Sequence, residues 1–220
     1  MGMVKDQSAN GTVEQTVRMP LKGIERSFEQ KDTIYKPSQR AKAIYEVESG
    51  RVKVVIQRER KEIIKKIAHP GDVIGLCALG KRRTYCEQAI CLCDSKVKEI
   101  PLESISEAIK EDSKMSFRLN QLLIDEIYMM DGRIRSMAFD NARQRVIQCL
   151  LNIIEKEGER IGYEHLIRHA LTHQEMASLT ATSRQTVTSV LNELKDQEII
   201  KFNRQRILIN DLSALENYES

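Results

Sequence analysis

Along the chain, the spacing of apolar positions changes character twice. From about Ile24 to Leu102, short β-branched runs alternate with Gly, Pro and Asp. Ile44-Tyr45-Glu46-Val47 leads into Ser49-Gly50, and Arg51-Val52-Lys53-Val54-Val55-Ile56 resumes beyond it, as strands joined at a turn do. Glu62 to Ile67 reads as another strand, and His69-Pro70-Gly71-Asp72 as its break. Lys96 to Ile100 alternates polar and apolar before Pro101. Many short strands at this spacing predict a β-barrel or jelly roll.

The period then lengthens. Leu119, Leu123, Ile127, Met130, Ile134 and Met137 recur at intervals of three and four, a stripe on a helix running from about Asp112 to Ala138. At 1.5 Å per residue such a helix is roughly 40 Å long. Phe117, Ile124 and Tyr128 lie off that stripe. A helix with two apolar faces needs two partners, so one face is expected on its own barrel and the other, as a dimer seam, on a second copy of the chain. Phe139-Asp140-Asn141 interrupts the pattern and caps a further helix. Its apolar face is Val146, Ile147, Leu150, Leu151 and Ile154, and Gly158 ends it.

The next segment carries the chemistry. Thr172 and Glu175 stand at capping-box spacing, with Met176 and Leu179 on the buried side of the helix they start and the small Ala177 allowing a close crossing. Thr180-Ala181-Thr182 is a short polar break. Ser183 caps a second helix packed through Val187, Val190, Leu191 and Leu194. Two helices, a tight turn and a small residue at the crossing predict a helix-turn-helix. The outward face of the second helix, Arg184, Gln185, Thr188 and Ser189, contains no acid until Glu193. A merely solvated face would intersperse Glu or Asp. Arg pairs with guanine and Gln with adenine, so these four are assigned to base reading. Ile199 to Phe202 and Arg206 to Ile209 flank Asn203-Arg204-Gln205 as a basic hairpin, a wing placed to meet phosphate. Lys201, Arg204 and Arg206 are assigned to phosphate, together with Thr172, Ser183 and Thr186.

Composition alters this picture only in part. The chain has 220 residues, 41% apolar and 30% charged, as a soluble globular protein does. No apolar run approaches about 18 residues, and Met1 to Arg18 lacks a signal core, so a cytoplasmic protein without membrane contact is expected. Five cysteines without a secretion signal read as reduced thiols. Net charge is +3, yet residues 140–220 carry 10 basic against 12 acidic groups, so DNA binding has to rest on a local basic face. The fold class is α+β, in four parts: an arm over 1–20, a sensing barrel over 21–111, a dimerisation helix and hinge over 112–139, and a winged helix-turn-helix over 140–220.

Over about residues 28–215 the chain resembles the CRP/FNR family of bacterial transcription regulators. Leu171-Thr172-His173-Gln174-Glu175-Met176-Ala177 and Ser183-Arg184-Gln185-Thr186-Val187 carry the resemblance most specifically. Ser49-Gly50-Arg51-Val52-Lys53 and Pro70-Gly71-Asp72 add the barrel signatures. The resemblance implies a homodimer that binds a palindromic promoter site under the control of a small-molecule effector and contacts RNA polymerase. Where the family commonly has Gly in the turn, this chain has Ala181. Gln185 and Ser189 also depart from the family's acid and arginine, which implies a different half-site.

The resemblance places an effector pocket around Gly75, Leu76, Cys77, Arg82, Arg83, Glu87 and Gln88. Cyclic-nucleotide members carry a Gly-Glu pair and a later arginine that takes the phosphate. Here Leu76 follows Gly75 and Glu87 lies where that arginine would be. A carboxylate repels phosphate, so classical cyclic-AMP binding is not expected and no cofactor is assigned, although Lys81-Arg82-Arg83 offers other anion ligands. Cys77 lies near the position of a haem ligand in CO-sensing relatives, so a haem- or redox-sensing variant stays open as an alternative. The Cys77 to Cys93 spacing matches no iron–sulfur motif. His165, His169 and His173 recur every fourth residue, but a helix starts between them, and no metal site is assigned. The rival class is a metal-dependent small-molecule enzyme built on the barrel. His69 is the barrel's single histidine, too few for such a site.

Overall fold

The computed structural model describes residues 19–59, 61–203 and 205–218. Eight strands form the N-terminal domain: β1 (Ile24–Phe28), β2 (Thr33–Tyr35), β3 (Ala43–Ser49), β4 (Val52–Arg58), β5 (Lys61–Ala68), β6 (Val73–Ile74), β7 (Gln88–Cys91) and β8 (Ser95–Pro101). They make two antiparallel sheets, ordered β1-β8-β3-β6 and β2-β7-β4-β5, a jelly roll. Between them Ile44, Val47, Val52, Val54, Val97 and Ile100 are buried. The edge strand β1 and the short β2, β6 and β7 carry no clean alternation. β1 is held by Arg26 on Glu99 and Glu25 on Lys96 across the β1–β8 pair. Of the expected arm, residues 1–18 lie outside the described residues. Met19 is 1% exposed and its carbonyl accepts from Lys98 Nζ at 3.1 Å, so the barrel is covered from residue 19 rather than 21.

Helix α1 (Leu102–Glu111) follows Pro101 directly and docks Ile105 on the barrel. Leu102, Ile105 and Ile109, at intervals of three and four, give it an apolar side not singled out from the sequence. Helix α2 (Ser113–Phe139) begins where Asp112 accepts from the Lys114 amide. Its own-chain face is not the one expected. Met115, Leu119, Leu122, Glu126, Met129 and Arg133, spaced four, three, four, three and four, turn toward the barrel and the C-terminal domain. Leu119, expected in the dimer seam, is 6% exposed and belongs to the barrel core. The other five stripe residues are exposed, Ile127 at 63% and Ile134 at 65%. Phe117, Ile124 and Tyr128, the candidates for a barrel face, are exposed as well.

Asn141 caps α3 (Ala142–Glu157) in a capping box with Gln144. Gly158 follows it with an extended rather than left-handed backbone, a conformation that suits glycine because a Cβ there would lie 2.4 Å from the Ile154 carbonyl oxygen. A hairpin of β9 (Glu159–Ile161) and β10 (Glu164–Ile167) leads to α4 (His173–Thr180) and α5 (Arg184–Asp196). Then come β11 (Ile200–Phe202), β12 (Ile207–Ile209) and α6 (Leu212–Glu216). The four strands form one antiparallel sheet, β11-β12-β10-β9. Val146, Leu150, Val187, Leu191, Leu194 and Ile209 make a second core. Among the described residues, no helix is long and apolar enough to cross a membrane.

Candidate nucleic-acid interface

Local chemistry sets the two helices of the interface. Thr172 Oγ1 accepts from the Glu175 amide at 3.2 Å, and Glu175 accepts from the Thr172 amide at 3.0 Å. Ser183 Oγ accepts from the Thr186 amide at 3.0 Å and lies 2.8 Å from the Thr186 hydroxyl. Between the helices Ala181 adopts a left-handed backbone, φ 49 and ψ 47. Arg145 of α3 braces that turn. Its Nε donates to the Thr180 carbonyl at 2.9 Å and its Nη2 to that of Ala181 at 3.4 Å.

On α5, Arg184, Gln185 and Ser189 are exposed, while Val187, Val190, Leu191 and Leu194 are buried. Thr188 is half-buried. Its hydroxyl donates to the Arg184 carbonyl at 2.9 Å, which leaves the His173 imidazole Nδ1–H, 2.9 Å away, as donor to Thr188. Burial, and then the neighbouring Arg184 charge, hold His173 below the usual histidine range, so this imidazole is neutral near pH 7. The acid that closes the polar face, Glu193, is tied to Arg143 of α3, away from the N-terminal turns. Across a groove lined by Arg184, His173, Phe202 and Gln205 stands the wing. Its turn closes on Asn203 Oδ1, which accepts from the Gln205 and Arg206 amides at 2.9 and 3.0 Å. Lys201 and Arg206 are exposed there, and Arg204 lies outside the described residues.

The sensor residues do not converge as expected. Gly75 is left-handed at φ 78, and a Cβ on it would lie 3.3 Å from the Tyr85 ring and 3.4 Å from the Tyr35 ring. Those rings stack with centroids 4.1 Å apart, and Tyr45 stacks on Tyr35 at 5.6 Å. Leu76 is buried, Cys77 half-buried, and Arg82 and Arg83 point out into solvent. Gln88 donates to the Thr33 hydroxyl at 3.2 Å. Glu87 is buried yet compensated: Tyr35 donates to it at 3.2 Å and Lys65 Nζ at 2.9 Å. Lys65 also bonds Glu126 of α2, which holds Lys66 at 2.8 Å. Burial works against the Lys65 ammonium, but Glu126 and Glu87 outweigh it and push its pKa up to about 12. Burial pushes the Cys77 thiol up to about 12 as well, so it is protonated near pH 7. Among the described residues, no three His, Cys, Asp or Glu side chains cluster to hold a metal; His165 lies on β10, His169 in the following loop and His173 on α4.

The two domains are joined by contacts that sequence reasoning missed. Glu157, at the end of α3, accepts from Arg51 Nη1 at 2.8 Å and lies 2.7 Å from His69 Nε2. Arg133 of α2 donates to the Ile64 carbonyl, to that of Lys65 at 2.7 Å, and to that of Leu179 in α4 at 3.1 Å. Nothing local marks the interdomain role of Arg133 or the bracing role of Arg145, because the acceptors that define those roles are carbonyls at least 35 residues away.

A jelly-roll sensor domain, a long helix with an uncovered apolar face and a winged helix-turn-helix with an acid-free first turn define a signal-controlled DNA-binding protein. The comparisons agree. Residues 25–112 match the cyclic nucleotide-binding domain and residues 144–218 the Crp-like helix-turn-helix domain. The chain belongs to the CRP/FNR family of transcription regulators. It is 26% identical over 186 residues to the cAMP-activated global transcriptional regulator CRP of Salmonella typhimurium, covering 83% of this chain and 87% of that one. It is 22% identical over 213 residues to the global nitrogen regulator of Nostoc, covering 96% of each. In fold it is similar to FixK2 from Bradyrhizobium japonicum, with a TM-score of 0.80 at 20% identity over 91% of this chain and 98% of that one. A CRP/FNR regulator from Thermus thermophilus gives a TM-score of 0.74 at 23% identity over 88% of this chain and 96% of that one.

Proposed function

We propose that the protein works in the cytoplasm as a homodimer, joined along the exposed stripe of α2, that binds a palindromic promoter site and engages RNA polymerase there. It acts by binding and not by turnover. Arg184, Gln185 and Ser189 read bases, with the Thr188 methyl beside them. Lys201, Arg206 and Arg204 meet phosphates, and Thr172, Ser183 and Thr186 line the helix starts that approach the backbone. A small-molecule effector acts through the barrel. The Salmonella relative is named for cAMP activation. In this chain Glu87 is matched by its own lysine and tyrosine and Arg82 and Arg83 face away, so the effector differs from cyclic AMP. The protonated Cys77 also weighs against a thiolate-based redox sensor.

The observation that carries the reading is Arg184, exposed at the first residue of a helix capped by Ser183, whose packing is supplied by Val187 and Leu191. Arg184→Ala is expected to leave folding and dimerisation intact while costing roughly 1–3 kcal/mol at the specific site. Preference at one guanine per half-site relaxes, with little change on random DNA. Arg184→Lys is not expected to restore it, because an ammonium lacks the guanidinium fork. Competition binding after selection of a site from random DNA measures this. Equal losses on specific and random DNA would overturn the base-reading role.

A further inference from the structure

Between β5, α2, α3 and α4 lies a cavity of about 490 Å³, large enough for a small ligand. Met129, Met137, Ile153, Leu171 and Leu179 give it apolar walls. Gly132 sits inside the 27-residue α2 at its edge, where a Cβ would meet nothing within 4 Å. Glycine weakens a helix interior, and no packing among the described residues asks for it here.

The charged groups on the lining do not balance. Lys65, Lys66, Arg133, Arg145 and Lys156 stand against Glu155 and Glu157. Lys65 and Lys66 are taken up by Glu126, and Glu157 by Arg51 and His69. Among the described residues, Arg133 and Arg145 have no carboxylate partner. Both hold backbone carbonyls only, including those of Leu179, Thr180 and Ala181 at the end of α4. Carbonyls at the negative end of the α4 dipole satisfy donors of these guanidiniums and offset part of their charge, but supply no full negative charge.

We propose that this interdomain cavity binds an anionic amphipathic small molecule, a carboxylate with an apolar tail, whose head pairs with Arg133 and Arg145. The carboxylate accepts a forked pair of N–H bonds while the tail lies on Met129, Ile153 and Leu179. Because the same guanidiniums hold the end of α4, the ligand competes for them and re-aims α5. That consequence rests on the DNA-binding reading; the binding itself does not.

The test uses the full chain and three probes of equal tail length: sodium octanoate below its micelle-forming concentration, octan-1-ol and octyltrimethylammonium. Calorimetry is expected to show saturable octanoate binding at one per chain, with octanol about tenfold weaker, as loss of a charge-assisted contact implies. The quaternary cation is expected not to bind. Gly132→Leu, which enters open space on a helix, is expected to abolish octanoate binding, and Ile153→Trp to do the same from the opposite wall. Both variants are checked for folding by circular dichroism. Saturation of wild type with octanoate is expected to change affinity for selected DNA by about fivefold or more. Absence of saturable binding, equal binding of the three probes, or octanoate binding unchanged in a folded filling variant would overturn the site. Octanoate binding with no change in DNA affinity would overturn its link to α4, whereas failure of wild type to bind any selected DNA would count against the DNA-binding reading alone.

Discussion

Ala181 holds a backbone conformation that costs an L-residue about 1–2 kcal/mol and glycine almost nothing. Ala181→Gly also gives the unfolded chain more freedom, which offsets part of that relief. A net gain of roughly 0.5–1 kcal/mol is expected in urea unfolding, with DNA affinity unchanged. The caps at Thr172, Ser183 and Asn141 were legible from spacing alone, because a cap joins groups three residues apart. So was the exposure of Arg184, since helical periodicity assigns the opposite face to Val187 and Leu191. The fate of Thr188 was not, because its hydroxyl is claimed by His173, fifteen residues away on another helix.

At the scale of elements, α2 shows what periodicity conveys and what it omits. Its length and start were readable, but the stripe mixed two environments: Leu119 enters the barrel core while Ile127 and Ile134 stay outside. The own-chain face contains Glu126 and Arg133, whose burial is sustained by Lys65, Lys66 and distant carbonyls, so an apolar pattern could not mark it. Ile127→Glu is expected to leave each chain folded and to place a charge in an apolar seam, giving monomers by light scattering and loss of DNA binding. A tight dimer would show that the seam lies elsewhere. In the wing, Arg206→Ala is expected to weaken binding to all sequences alike and to lower the slope of log affinity against log salt by about one. An effect confined to one base position would contradict a phosphate role.

Across the whole molecule, the clasp of Arg51 and His69 on Glu157 ties the barrel to the DNA-binding domain. Burial works against the Glu157 carboxylate, but the His69 hydrogen bond and the Arg51 charge outweigh it and hold its pKa below the usual value. A depressed folded-state pKa contributes stability that is fully present above the unfolded value, roughly 4.3, and is lost as pH falls through the folded one. Glu157→Gln is therefore expected to cost roughly 1–3 kcal/mol at pH 7, as loss of a charged hydrogen-bond partner does. The gap from wild type is expected to close as pH falls below about 4. Urea unfolding of both proteins from about pH 7 to about pH 3 measures it, and a constant gap would show that the clasp contributes no ionic stabilisation.

The sequence by itself determined the class of this protein: a β-rich sensor, a long helix, and a winged helix-turn-helix with an acid-free recognition face. Each follows from periodicities and caps that act within a few residues. Tertiary structure alone decided that Glu87 is paired with Lys65 and Tyr35 inside the barrel, that tyrosines pack against Gly75, and that two arginines hold the end of α4. It also decided that the domains meet around a positively charged cavity. Those arrangements join groups tens of residues apart, and a buried charge becomes tolerable only once the fold supplies its distant partner.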